Sequence, residues 1–206
     1  MKRRIPSILL ALVLAMSCVS AFAEDAVSSA TVNITSFPAV GEHENAKVLV
    51  IYFSTDDTVK AVALTAAEAL EADVFEIVPE QPYTAADLAY YTDCRADKEQ
   101  NDSGARPGIA DWPESLEQYD VIFIGYPIWH GQAPRILYTL LEGIDVSGKT
   151  IVPFCTSASS GAGTSAVSLE KISEGGVWLK AKRIDNHSTA EQIRLWALSV
   201  LKETAE

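Results

Sequence analysis

The chain predicts a parallel α/β sheet covered by helices on both faces, and three features predict it. Lys47 to Phe53 and Val121 to Ile124 are apolar without alternation, which is what strands covered on both sides require. Strand-like runs alternate with stretches of helical spacing, the signature of right-handed crossovers between parallel strands. Both apolar runs also stop at a short loop just ahead of a helix start, and the carboxyl edge of an open sheet is where ligands bind.

The elements follow in order. After the Lys47 to Phe53 strand and the loop Ser54-Thr55-Asp56-Asp57, Val59, Val62, Ala63, Ala66 and Leu70 recur at helical spacing. Asp73 to Val78 predicts a short strand ended by Pro79 to Pro82, and Thr84 to Tyr91 a helix capped by Thr84. Thr92 to Trp112 is polar and broken by Gly and Pro, so it reads as a long excursion of the kind that serves function or moves. The central strand begins at Asp120, and Gly125 lets the backbone turn. Tyr126, Pro127, Ile128 and Trp129 then set two aromatic faces and a rigid bend at its carboxyl end.

Pro134 suits a first helical turn, and the helix to Glu142 presents Ile136, Leu137, Leu140 and Leu141 on one face before stopping at Gly143. Thr150 to Cys155 predicts a strand, Thr156 to Gly163 a Ser/Gly loop and Thr164 to Ser173 a helix. Val177 to Ile184 predicts a fifth strand and Thr189 to Lys202 a closing helix. Three loops should converge on one edge: Ser54 to Thr58, Tyr126 to Gly131, and Thr156 to Gly163.

The 206 residues carry 16 Lys plus Arg against 28 Asp plus Glu, with 48% hydrophobic residues, the composition of one acidic globular domain. Residues 1–23 stand apart. Lys2, Arg3 and Arg4 precede the apolar run Ile8 to Met16, and Ala21-Phe22-Ala23 is a small-x-small cleavage site, so a secretory signal peptide and an exported protein are expected. The run is short of the roughly 20 residues of a spanning helix. Cys18 sits in an imperfect lipoprotein box, with Ala15 where leucine is usual, and Arg3-Arg4 lacks the apolar residues that follow in twin-arginine signals. Cleavage removes three positive charges and no negative ones, taking the net charge from −12 to −15. Such a surface repels nucleic acid and anionic lipid. Residues 24–45 lack a sustained period and read as a tether, so the domain spans 46–206.

Cys94 and Cys155 are expected as unpaired thiols. No CxxC or Cys/His cluster points to a metal, and His43, His130 and His187 are scattered. The candidate ligand contacts are therefore loop hydroxyls and aromatic rings. Ser54, Thr55 and Thr58 stand at a helix N-terminus, whose unpaired N–H groups favour an anion.

The order of strands and loops, with Y-F-S-x-x-x-x-x-K-A-V-A (Tyr52 to Ala63), P-E-Q-P-Y-T-A-A-D-L (Pro79 to Leu88), G-Y-P-I-W (Gly125 to Trp129) and G-K-T-I-V-P-F-x-T-S (Gly148 to Ser157), resembles the flavodoxin family over nearly all of residues 47–203. The resemblance implies a three-layer, five-stranded flavodoxin-like fold that binds FMN non-covalently and transfers one or two electrons. It implies the phosphate on Ser54, Thr55 and Thr58, and the flavin ring against Tyr126, Pro127, Ile128 and Trp129, with Trp129 stacking and His130 in hydrogen-bond reach. Thr156, Ser157, Ser160 and Gly161 would line the ring's polar edge. The family's phosphate loop is of the type S-x-T-G-N-T, whereas here Ser54-Thr55-Asp56-Asp57-Thr58-Val59 has no glycine and two carboxylates. Two functions stay open: an FMN protein acting as an electron carrier or flavin-dependent reductase, its redox partner or small-molecule acceptor unidentified, and a flavodoxin-fold binding protein that has lost FMN.

Two rivals fail inside the sequence. A phosphoacceptor receiver needs an aspartate where Gly125-Tyr126-Pro127 stands. The G-x-G-x-x-A match at Gly161 to Ala166 lies five residues beyond its strand and in the fourth unit, where a dinucleotide fingerprint follows its strand at once in the first.

Overall fold

The computed structural model describes residues 46–204; the signal peptide (1–23) and tether (24–45) expected above lie outside the described residues. In chain order the elements are β1 (Val48–Tyr52), α1 (Asp57–Leu70), β2 (Asp73–Glu76), α2 (Arg95–Asn101), β3 (Val121–Pro127), α3 (Arg135–Gly143), β4 (Thr150–Thr156), α4 (Ser165–Glu170), β5 (Val177–Trp178), β6 (Lys182–Ile184) and α5 (Ala190–Thr204). The strands are parallel and run β2-β1-β3-β4-β5, with β6 also pairing β4. This is an α/β three-layer fold with its topological switch point between β1 and β3.

The absence of alternation in the central strands has its expected cause. Val48, Val50, Tyr52, Val121, Phe123, Val152 and Phe154 pack under α1 and α5, while Leu49, Ile51, Phe53, Ile122, Ile124, Tyr126 and Ile151 pack under α3 and α4. Both sets are buried, so every position of β1 and β4, and every position of β3 but Pro127 at its carboxyl end, is covered. Each side chain so buried contributes on the order of 1.5–3 kcal/mol.

Four sequence expectations change. Thr84 to Tyr91 is a turn and not a helix: the Asp87 carboxylate accepts from Thr84 N–H at 2.8 Å and Oγ1–H at 2.7 Å, and Tyr91 and Asp93 then adopt positive φ, ending any helical path. The excursion 92–112 contains α2, a helix without an apolar stripe, whose buried residues are Ala96, Asp97 and Gln100. The helix expected to Ser173 ends at Glu170. The fifth strand is split, because residues 179–181 leave the ladder between β5 and β6.

Gly125 has a different reason from the one its position suggests. It lies within β3, paired with Tyr52 and Phe154, and a methyl group there would fall inside the Phe154 ring. The glycine makes room for an aromatic side chain; the chain turns four residues later.

Candidate functional site

At the carboxyl edge, the exits of β1, β3 and β4 border a cavity of about 340 Å³, within the size range of small-ligand sites. Thr55, Asp56 and Thr58 come from the β1–α1 turn, Pro127, Ile128 and Trp129 from the end of β3, and Thr156, Ser157 and Ala158 from the end of β4. Two further segments complete it: Leu88 and Tyr90 from the turn region before α2, and Asn186 after β6.

Seven of the sequence-predicted site residues therefore share one cavity: Thr55, Thr58, Pro127, Ile128, Trp129, Thr156 and Ser157. Five lie elsewhere. Ser54 turns its hydroxyl to the Asp56 carbonyl. Tyr126 is fully buried, its hydroxyl 3.0 Å from Ser165 Oγ, and burial raises its pKa. His130 binds Asp97. Ser160 donates its N–H to Ser157 Oγ at 3.1 Å on the exposed outer part of its loop, and Gly161 is exposed beside it. Trp129 borders the cavity but is only 3% exposed, its indole packed edge-on against Phe53 and Tyr83 at centroid distances of 5.6 and 5.3 Å. The partly exposed aromatic at the cavity is Tyr90, whose ring lies 6.5 Å from Trp129 and 5.2 Å from His130.

The β1–α1 turn is closed by its own side chains. Asp56 is the N-cap of α1, in extended backbone (φ −134°, ψ 177°), and its Oδ1 accepts the Thr58 N–H at 2.9 Å. That bond satisfies one of the orphan donors of the helix start. No positive φ occurs in this turn, so the missing glycine is not needed for its conformation.

The loop after β3 is held from outside. Trp129 and Gln132 exchange two backbone hydrogen bonds of 2.9 Å across His130 and Gly131, both at positive φ (46° and 76°), as in a two-residue turn of the primed type. For His130 that conformation is costly, and the chain pins it: Nε2–H donates to Asp97 Oδ1 at 2.7 Å. Asp97 is itself buried in the capping box of α2. Burial pushes its carboxyl up, but the bonds from His130, backbone N–H groups and Cys94 outweigh this and hold it at about 2. One turn on, Gln100 Nε2 donates to the carbonyls of Trp129 (3.0 Å) and Ala133 (3.2 Å), while its Oε1 accepts from Arg135 N–H at 3.2 Å. Gln100 thus closes both the loop and the start of α3, which has no side-chain cap of its own.

Cys94 and Cys155 are free and buried, and burial raises the Cys155 thiol to about 11. Among the described residues no group of three or more His, Cys, Asp or Glu is placed to hold a metal, and no helix is long and apolar enough to cross a membrane.

The switch-point cavity, the strand order and the four matching segments agree with what comparison finds, for the flavodoxin family model matches residues 47–200. The chain belongs to the flavodoxin family. A protein assigned as a flavoprotein from Bacteroides eggerthii DSM 20697 has a crystal structure similar to this flavodoxin domain, at 42% identity and a TM-score of 0.70, covering 77% of this chain and 99% of that one. A second, assigned likewise, from Bacteroides uniformis ATCC 8492, has 38% identity and a TM-score of 0.70 over 73% of this chain and 97% of its own. A flavoprotein from Lactobacillus acidophilus NCFM, crystallised in complex with FMN, shares the fold at 20% identity and a TM-score of 0.50, over 67% of this chain and 93% of that one. No curated protein matches the chain.

The sequence missed Tyr90, Asn186, Asp97 and Gln100. Adjacent tyrosines at 90 and 91 in an otherwise polar stretch were the available signal for the first. The other three act through contacts 29 or more residues away, or from beyond a strand that the sequence did not show to be split.

Proposed function

We propose that this flavodoxin domain binds a flavin in the switch-point cavity and works in electron transfer, as a carrier or as a flavin-dependent reductase. A bound flavin supplies one- or two-electron chemistry; the chain supplies the seat. The observation that carries the reading is the cavity itself, bounded by Tyr90, Leu88, Pro127 and Ile128, with the hydroxyls of Thr55, Thr58, Thr156 and Ser157 and the Asn186 amide around it. An apolar and aromatic wall suits a flat ring, and a few hydroxyl and amide groups suit its polar edge and side chain. Family membership and the FMN complex of the Lactobacillus acidophilus protein support FMN as the first flavin to try.

The fit divides along the ligand. The ring end matches. The phosphate end does not, since the N-terminus of α1 already has the Asp56 carboxylate on its N–H, and Asp57 follows in the first turn. That favours the second reading to the extent that FMN itself is poorly served.

Adding FMN or riboflavin to the purified chain tests the proposal. The expected result is a shifted visible absorbance with quenched flavin fluorescence, and reversible reduction of the bound flavin against a low-potential dye. Spectra identical to the free flavins at protein concentrations up to the millimolar range would reject it.

A further inference from the structure

We propose that the cavity selects a flavin whose side chain ends in a hydroxyl, riboflavin in chemical terms, over the phosphorylated form, and that Asp56 makes the selection. This rests on the flavin reading above and adds which flavin the site takes.

A helix N-terminus attracts an anion because its first N–H groups lack partners and carry partial positive charge. In this chain a resident carboxylate takes one of those donors. Asp56 Oδ1 is bound to the Thr58 N–H, and the Ser54 hydroxyl is spent on the Asp56 carbonyl. A ligand phosphate would have to displace the carboxylate or lie beside it.

The charge around the cavity points the same way. Asp56 is the one ionised side chain among the lining residues, and no Lys or Arg lines the cavity. Lys60, on the first turn of α1, is paired with Glu76 at 3.4 Å. Arg183, which touches the lining from behind, donates to the Ser157 carbonyl at 3.0 Å and lies 3.6 Å from Asp185. A dianion is therefore given no cation to offset Asp56.

The same geometry is well matched to a sugar-alcohol chain. Asp56 is exposed and its Oδ1 is bound to the Thr58 N–H; a carboxylate oxygen can only accept, so toward a ligand it favours a donor. A hydroxyl is a donor; an ionised phosphate is not. Thr55, Thr58, Thr156, Ser157 and Asn186 can each donate or accept, which suits successive hydroxyls. Repulsion between a unit charge and a dianion about 4 Å away in water corresponds to roughly a thirtyfold loss of affinity at low salt.

The experiment is a pair of fluorescence-quenching titrations of the purified full chain, with riboflavin and with FMN, at about 0.01 M and about 1 M salt. Riboflavin is expected to bind roughly ten- to thirtyfold more tightly at low salt, with the ratio narrowing at high salt as the repulsion is screened. Asp56→Asn keeps an equally good N-cap and should narrow the low-salt ratio by about tenfold with little change in the melting temperature. FMN binding as tightly as riboflavin, or more tightly, overturns the inference and leaves the flavin reading standing. A ratio unchanged in a stably folded Asp56→Asn protein overturns the role given to Asp56. If neither flavin binds, the flavin reading fails and takes this inference with it.

Discussion

The two helix starts at the switch point are built in opposite ways. The start of α1 is closed by a residue of its own turn, Asp56 reaching two residues on to the Thr58 N–H. The start of α3 begins at Pro134 without a side-chain cap and is closed by Gln100, 35 residues earlier in the chain, which bonds Arg135 N–H and the Trp129 and Ala133 carbonyls together. One loop is closed from within, and the other is held as well by two residues of α2. A cavity between two such loops has one wall fixed locally and another whose precision depends on a long-range contact.

That contrast can be broken in graded ways. The largest effect should come from the strand that feeds the dependent loop. Gly125→Ala puts a methyl group into the Phe154 ring at a site buried on both faces, and overpacking of this kind costs about 1–3 kcal/mol or more. Urea denaturation should show the midpoint falling, and an unchanged midpoint would mean that β3 and β4 can separate at no cost.

Gln100→Ala comes next, removing three hydrogen bonds from a buried position. It is expected to cost about 2–3 kcal/mol and to raise amide exchange across residues 129–135 while α1 stays protected. Asp56→Ala should cost about 1 kcal/mol, the usual value for a lost N-cap, with faster exchange confined to the first turn of α1. Equal and global changes for the two variants, read by hydrogen exchange, would erase the distinction between the loops.

The smallest effect is the pH response of the dependent loop. Asp97 is held at about 2, below the ordinary aspartate value of about 3.9. A depressed carboxyl stabilises the fold fully above its unfolded pKa, and the contribution is lost as pH falls through the folded one. Loosening around His130 and α2 should therefore develop between about pH 4 and pH 2 and be absent in Asp97→Asn, as followed by the His130 ring signals in NMR. A transition in the variant identical to that of the parent would place the acid sensitivity elsewhere.

The legible and illegible parts of the sequence divide along the same line. Continuous apolar runs such as Val121 to Ile124 announce central strands because burial on both faces leaves no polar position to confuse the period. The cap at Asp56 and the turn at Trp129 to Gln132 leave local marks too. Helix α2 leaves none: its neighbours recognise it through Asp97 and Gln100, polar residues that look solvent-facing until their partners arrive. Trp129 stands where the sequence put it, at the strand's end, but its ring is taken by Phe53 and Tyr83, so position alone did not decide exposure. Tyr126 met the same fate one strand register deeper.

The split of the last strand also governs how the sheet meets other chains. Its long members, β3 and β4 with seven residues each, are interior. At one margin β5 offers two residues and β6 three; at the other β2 offers four, beginning and ending in the carboxylates of Asp73 and Glu76. An unpaired backbone ladder is what allows a strand from a second molecule to add on, and the routes to fibrils and swapped oligomers begin there. Residues 179–181 interrupt that template, so this margin presents only short lengths of ladder to a second strand.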